Sequence, residues 1–208
     1  MKVLFFLILL FSASHAKALI FLEPYLNFNL AGYGEETKSN GNIKKYEYNT
    51  VFFGGRAGLS MFSLQFGADY SKGQSVLQID DEMGRSTSKY EKEDMGLFIN
   101  KNFTDWRIFL TYLVQSELRQ KGGANQVQHL GTGQVIGIGR LLDESLTFNF
   151  EFKNLRYTKE RRFLPNNIVE VDKPSALKVR EFAVGFSYMI DIFGGGRKAA
   201  SKPAPKKD

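Results

Sequence analysis

Residues Lys178–Phe193 read KVREFAVGFSYMIDIF, and counting by twos splits them cleanly. Phe182, Val184, Phe186, Tyr188, Ile190 and Ile192 fall on one side; Glu181, Ala183, Gly185, Ser187, Met189 and Asp191 fall on the other. Successive side chains of a strand point to opposite faces, so the segment predicts a strand with one wholly apolar face and one small or charged face. An unbroken row of bulky apolar side chains suits contact with hydrocarbon. The charges behind it then require a polar interior. Repeated along a chain, that combination is the pattern of a transmembrane β-barrel.

The pattern does repeat. A first strand over about 22–33 places Leu22, Leu26, Phe28 and Leu30 outward and Glu23, Tyr25, Asn27, Asn29 and Tyr33 inward, with Pro24 near its start. A second, about 43–59, turns Val51, Phe53, Ala57 and Leu59 out and Tyr48, Thr50 and Arg56 in. The third sets Leu64, Phe66, Ala68 and Tyr70 against Gln65 and Asp69; the fourth returns through Met95, Leu97 and Ile99. The fifth, 106–117, faces Ile108, Leu110, Tyr112 and Val114 against Arg107, Thr111, Gln115 and Glu117. The glycine-rich sixth, about 127–142, has no clear phase, because Ile136 and Ile138 share a face with Gln134 and Arg140. In the seventh, Leu146, Phe148, Phe150 and Phe152 oppose Thr147, Asn149, Glu151 and Lys153.

Short turns are expected near 60–62, 103–105 and 143–145, with Phe103 and Trp106 at the membrane interface. Longer connections are expected at 34–42, at 121–126 and at 158–177, and strands three and four should run past the membrane to a turn near Glu82–Gly84. The expected fold is all-β: an eight-stranded antiparallel up-and-down transmembrane barrel, both ends on the short-turn side. Closure is required, since an open edge in hydrocarbon leaves unpaired backbone groups costing several kcal/mol each.

The first 18 residues carry Lys2, an apolar run from Val3 to Phe11, and small residues with Ala16-Lys17-Ala18 or Ser14-His15-Ala16 at a cleavage position. This reads as a signal peptide, too short to span a bilayer. The barrel then occupies 19–193, and 194–208, rich in Gly, Ala, Pro and Lys, reads as a disordered basic periplasmic tail. Of 28 basic and 22 acidic residues, the leader and tail hold seven basic and one acidic, leaving 21 of each in the body. A neutral body gives no electrostatic basis for nucleic-acid binding. The absence of cysteine removes disulfides, thiolate metal sites and cysteine nucleophiles.

On these strands the chain resembles the small eight-stranded outer-membrane barrels of the OmpX and OmpA-transmembrane type. The resemblance covers the mature chain and is architectural. It implies location in the outer membrane of a Gram-negative-type cell, among outer-membrane lipid and lipopolysaccharide. It also implies recognition by the barrel-assembly machinery, for which Gly185 and Tyr188 resemble the glycine and first aromatic of the terminal-strand signal. Ile190 stands where a second aromatic is usual, and the chain continues beyond Phe193.

The inward charges Glu23, Arg56, Asp69, Arg107, Glu117, Arg140, Glu151, Lys153, Glu181 and Asp191 would crowd a lumen just wide enough for side chains. Ions so enclosed must pair, giving a salt-bridged plug; a gated or ion-conducting path is the functional alternative. The lipid-facing set is Leu26, Phe28, Leu30, Phe148, Phe150, Phe152, Phe182, Val184, Phe186, Tyr188 and Ile190.

Catalytic material is sparse. His129 is the mature chain's one histidine, and the serine two residues on, present in the outer-membrane lipid A deacylases that share this architecture, is here Gly131. The expectation is a rim histidine, no catalytic set, no metal site and no cofactor. Asp80, Asp81 and Glu82 read as a solvated turn, or a cation site lacking calcium-loop spacing. Lys159, Arg161 and Arg162 read as a solvated loop cluster, or a contact to lipopolysaccharide phosphates. The basic tail is a spacer or an electrostatic contact to peptidoglycan or a periplasmic partner. The leading expectation is a non-enzymatic barrel serving envelope structure or surface interaction through long loops. The alternatives are a narrow ion-conducting barrel and a soluble exported lipocalin-like barrel binding an apolar ligand, whose Phe148–Phe152 row would face inward.

Overall fold

A computed structural model of the protein describes residues 19–192, apart from 39, 82–83, 123–125 and 165–166. The strands are β1 (Leu19–Thr37), β2 (Ile43–Met61), β3 (Leu64–Asp81), β4 (Gly84–Asn102), β5 (Trp106–Gln120), β6 (Gln126–Leu141), β7 (Leu146–Leu164) and β8 (Asn167–Tyr188). After an irregularity at Met189, β8 resumes over Ile190–Asp191, still paired with β1. Each strand pairs antiparallel with its neighbour, and β1 pairs with both β2 and β8, so the sheet closes on itself without an edge. The expected leader at 1–18 and tail at 194–208, together with Phe193, lie outside the described residues.

The strands run from 15 to 22 residues, where a bilayer needs roughly 9–11, and the segments expected as loops are the reason. Residues 158–177 do not form a loop: Lys159↔Asp172 through Leu164↔Asn167 continue the β7–β8 ladder. Tyr33↔Glu47 through Thr37↔Ile43 likewise extend β1–β2. The barrel therefore has a membrane-sized lower half and a long upper half made of paired strands.

Where the two halves meet, hydrophobicity inverts on β7 and β8 without any change of phase, whereas on β1 and β5 a bulge near the same level reverses the phase, so that Tyr33 faces outward and not inward. On β8 the outward residues change from Phe182 to Arg180 and Lys178, while the inward ones change from Glu181 to Val179 and Leu177. On β7 the outward Phe152 gives way to Asn154 and Arg156, and the inward Lys153 to Leu155 and Tyr157. Phe152 pairs with Phe182 and Leu155 with Val179, so the inversion lies at one level on both strands. Below it, apolar groups face out around a polar lumen. Above it, Tyr46, Tyr48, Leu77, Ile79, Tyr90, Leu118, Leu155, Tyr157, Leu177 and Val179 form an internal core, as in a water-soluble sheet. The outward apolar row from Phe182 to Ile192 spans about 34 Å along the strand at ~3.4 Å per residue, or about 25 Å at the usual tilt of roughly 40°. That is the height of the apolar band of an outer-membrane barrel.

Local packing fixes the phase that the glycines of β6 left open. Val135, Gly137 and Gly139 face inward, Ile136 and Ile138 outward. A Cβ at Gly137 would overlap the buried ring of Phe109, so glycine here makes room for an aromatic on the next strand. Gly185 is constrained in the same way: a Cβ there would overlap Asn27 Oδ1 and the Leu26 carbonyl. At the short-turn end, Phe103 and Trp106 are exposed, and Phe62 is 90% exposed with a φ of 56°. An exposed aromatic in the left-handed region is a strained choice, consistent with a ring anchored at a membrane interface.

Candidate functional site

The lower lumen is built around two arginines. Arg56 on β2 contacts three carboxylates: Glu23 at 3.2 Å, Asp69 at 3.1 Å and Glu151 at 2.9 Å. Its guanidinium lies 4.3 Å from the Phe109 ring and 4.7 Å from the Tyr25 ring, and the Tyr25 hydroxyl donates to Asp69 at 2.7 Å. Arg107 on β5 grips both oxygens of Glu23, at 2.6 and 2.8 Å, and donates to Asn149 at 2.8 Å and Ser187 at 2.7 Å. Every one of these ions is at most 5% exposed. Planar guanidinium forks suit such sites, because each offers five donors in fixed directions.

A second cluster sits just above. Lys92 contacts Glu181 at 2.6 Å and Asp94 at 3.7 Å; Lys153 reaches Asp94 at 3.4 Å and lies 3.7 Å from the Phe52 ring centre. Ser116 donates to Asp94 at 2.6 Å and stands 3.0 Å from the Tyr157 hydroxyl. Together the clusters set four cations against five carboxylates on seven of the eight strands, all but β6, so the lumen is crossed by side chains at two levels.

A third polar group caps the upper core. Lys173 bridges Glu36 on β1 at 2.6 Å and Glu160 on β7 at 3.5 Å, and the Tyr46 hydroxyl donates to Glu36 at 2.7 Å. His129 is buried beneath this cap, its Nδ1 3.9 Å from Glu160, with Tyr90 and Tyr157 on either side. Burial, helped by the nearby charge of Lys173, pushes the His129 imidazole down to about 4, against the opposing pull of Glu160 and Glu36. Burial alone would raise Glu36, but the hydrogen bonds from Lys173 and Tyr46 hold it below the usual carboxylate range.

Of the predicted lumen charges, Glu23, Arg56, Asp69, Arg107, Glu151, Lys153 and Glu181 come together inside. Three do not. Glu117 faces outward, because a bulge at Val114–Gln115 shifts the register between Leu113 and Ser116 and reverses the phase beyond it. Arg140 is exposed, its guanidinium 5.6 Å from the Trp106 ring, because the small glycines take the inward side of β6. Asp191 is half-buried at the mouth, on the short strand after the Met189 irregularity. His129 is a buried residue and not one at a rim. Lys159, Arg161 and Arg162 lie on β7, paired with Glu170 and Glu160. Lys92 and Asp94 were missed, although counting by twos from Met95 and Leu97 places both inward.

The proposed lipid-facing residues all point outward, Phe148–Phe152 among them, which removes the lipocalin-like arrangement of that row. Gly185 and Tyr188 lie on β8, one inward and one outward. Of the acidic turn, Asp80 ends the outward row of β3, while Glu82 lies outside the described residues.

No family model matches the sequence, and no curated protein matches it. Among solved structures, Neisserial surface protein A aligns with 81% of this chain and 96% of its own at 12% identity and a TM-score of 0.45. The outer membrane protein OprG of Pseudomonas aeruginosa aligns with 85% of this chain and 97% of its own at 10% identity and a TM-score of 0.47. The outer membrane protease OmpT of Escherichia coli aligns with 83% of this chain and 97% of its own at 9% identity and a TM-score of 0.39. Such values carry nothing about function, and the closed ring rests on its own strand pairing.

Proposed function

We propose that the chain is a non-enzymatic outer-membrane barrel with a sealed lumen, contributing to envelope structure or surface contact through its upper half. The observation that carries this is the inversion level: an outward apolar band about 25 Å tall enclosing charges that satisfy one another. A soluble barrel would expose that band to water, and a pore would leave the lumen charges facing solvent. Here Arg56, Arg107, Lys92 and Lys153 are each engaged by carboxylates. The contact surface differs from the expected long loops: it is a paired extension of the strands above the apolar band, with an internal core. Envelope lipid and lipopolysaccharide would surround the band, and the barrel-assembly machinery would read the last strand. Contact with peptidoglycan or a periplasmic partner would fall to the basic tail.

Membrane fractionation followed by electrophoresis with and without boiling tests the reading. A detergent-extracted protein whose unboiled form migrates differently from the boiled form supports a closed membrane barrel. A protein released in soluble form, with identical migration either way, overturns it.

A further inference from the structure

Immediately above the apolar band on one side, three cations stand together without carboxylate partners. Arg156 on β7 and Lys178 on β8 are register partners, and Arg180 lies diagonal to Arg156, opposite Asn154. All three are exposed on the outer wall, and none makes an ion pair within 4 Å among the described residues. Directly opposed like charges destabilise a strand pair. The nearest acidic residue by register is Glu35, across from Lys178 on β1, so the patch keeps an excess of positive charge. The basic residues higher on β7 show the contrast: Lys159 and Arg161 pair with Glu170, and Arg162 pairs with Glu160.

The three cations rim a depression of about 340 Å³ that also includes Thr132, Gln134 and Asn154. A second, apolar depression of about 390 Å³ lies lower on the same wall, lined by Ile136, Ile138, Phe150, Phe152, Phe182 and Val184. The register stacks the two. One outward step, from Ile136 to Gln134, from Phe152 to Asn154 and from Phe182 to Arg180, leads from the apolar groove to the cationic one on three adjacent strands. A polar site set about 7 Å above a hydrocarbon groove, at ~3.4 Å per residue, matches an amphiphile whose head is anionic. Arginine forks bind phosphate oxygens in pairs, and the adjacent Thr132, Gln134 and Asn154 supply neutral hydrogen bonds to a sugar or phosphate.

We infer that the β6–β8 wall carries a binding site for a phosphate-bearing glycolipid of the outer leaflet, its acyl chains along the Phe152–Phe182 groove and its phosphate at Arg156, Lys178 and Arg180. The site rests on the membrane reading above, which places this wall at the boundary between hydrocarbon and headgroups.

The test is native mass spectrometry of the heat-shifting barrel in neutral detergent, titrated with diphosphorylated lipid A and with the same lipid enzymatically dephosphorylated. The expected result is at least tenfold preference for the phosphorylated form, lost in Arg156→Gln/Lys178→Gln/Arg180→Gln and reduced several-fold in Arg180→Gln alone. Lys159→Gln/Arg161→Gln/Arg162→Gln, an equal change in charge higher on β7, should bind as wild type. Equal binding of both lipids, or equal loss in the control variant, overturns the site. Full competition by millimolar inorganic phosphate also overturns it, since the groove would then contribute nothing. Loss of the heat shift in the wild type is a separate outcome that removes the membrane reading itself.

Discussion

Arg56 and Glu151 stand on strands three apart around the ring, yet their side chains meet at 2.9 Å in the middle of the barrel. Arg56 is also held by Glu23 and Asp69, so one guanidinium joins three walls. Arg56→Met leaves the buried Asp69 and Glu151 without a counter-ion and Glu23 with Arg107 alone. Removing one partner of a buried pair costs about 3–5 kcal/mol, and chemical denaturation of the refolded barrel should show a loss of that order. A loss under ~1 kcal/mol, the range of exposed pairs, would mean that water enters the network.

The inversion level between Phe182 and Arg180 makes a depth-dependent prediction. Phe186→Arg, near the middle of the outward row, should cost about 2–4 kcal/mol of stability in lipid, whereas Phe182→Arg at its upper limit should cost roughly 0–1 kcal/mol. Equal costs at the two positions would contradict the placement of the membrane.

Gly137 is a steric requirement for Phe109. Gly137→Ala should destabilise by about 1–3 kcal/mol through overpacking, and adding Phe109→Leu should recover part of the loss. A double-mutant cycle in the two residues should therefore show coupling of at least ~0.5 kcal/mol. Additive effects would place the ring elsewhere.

His129 gives the upper half a pH response. Its imidazole is pushed down to about 4 in the folded barrel. An opened chain binds the proton near ~6.5, so the closed form keeps its full stability above that value. The contribution falls as pH drops from ~6.5 toward about 4, by on the order of 2–3 kcal/mol. Protection factors of the upper β6–β7 amides, taken against the intrinsic exchange rate at each pH, should fall over that window, and His129→Gln should remove the component. Glu36 and Glu160 are held below their usual values, so their losses come at still lower pH.

The lower half was legible because hydrocarbon outside and charge inside give a strict alternation, seen most plainly in Phe182–Ile192 and Leu146–Lys153. The upper half was not. There water lies outside, so Lys178, Arg180 and Arg156 take the outward positions, and 158–177 reads as a polar loop because only Leu177 continues the inward row of Val179 before the register shifts between Tyr157 and Lys159. Glu117 was misplaced because a bulge adds one residue without any local signature beyond Val114 and Gln115. Arg140 was misplaced because glycines have no side chain to report their face. The partners Lys92 and Asp94 needed only the count carried two residues further. What no pattern could supply was which ions meet: Arg56 and Glu151 are 95 residues apart.

The sealed lumen is tested most directly by ion conductance. Wild-type barrel with a verified heat shift, inserted in a planar bilayer, should show no discrete current steps, since two levels of buried ion pairs cross the lumen. Replacing Arg56, Arg107, Lys92 and Lys153 together with Ser should open steps if that variant retains the shift. Regular steps from the wild type would contradict the seal.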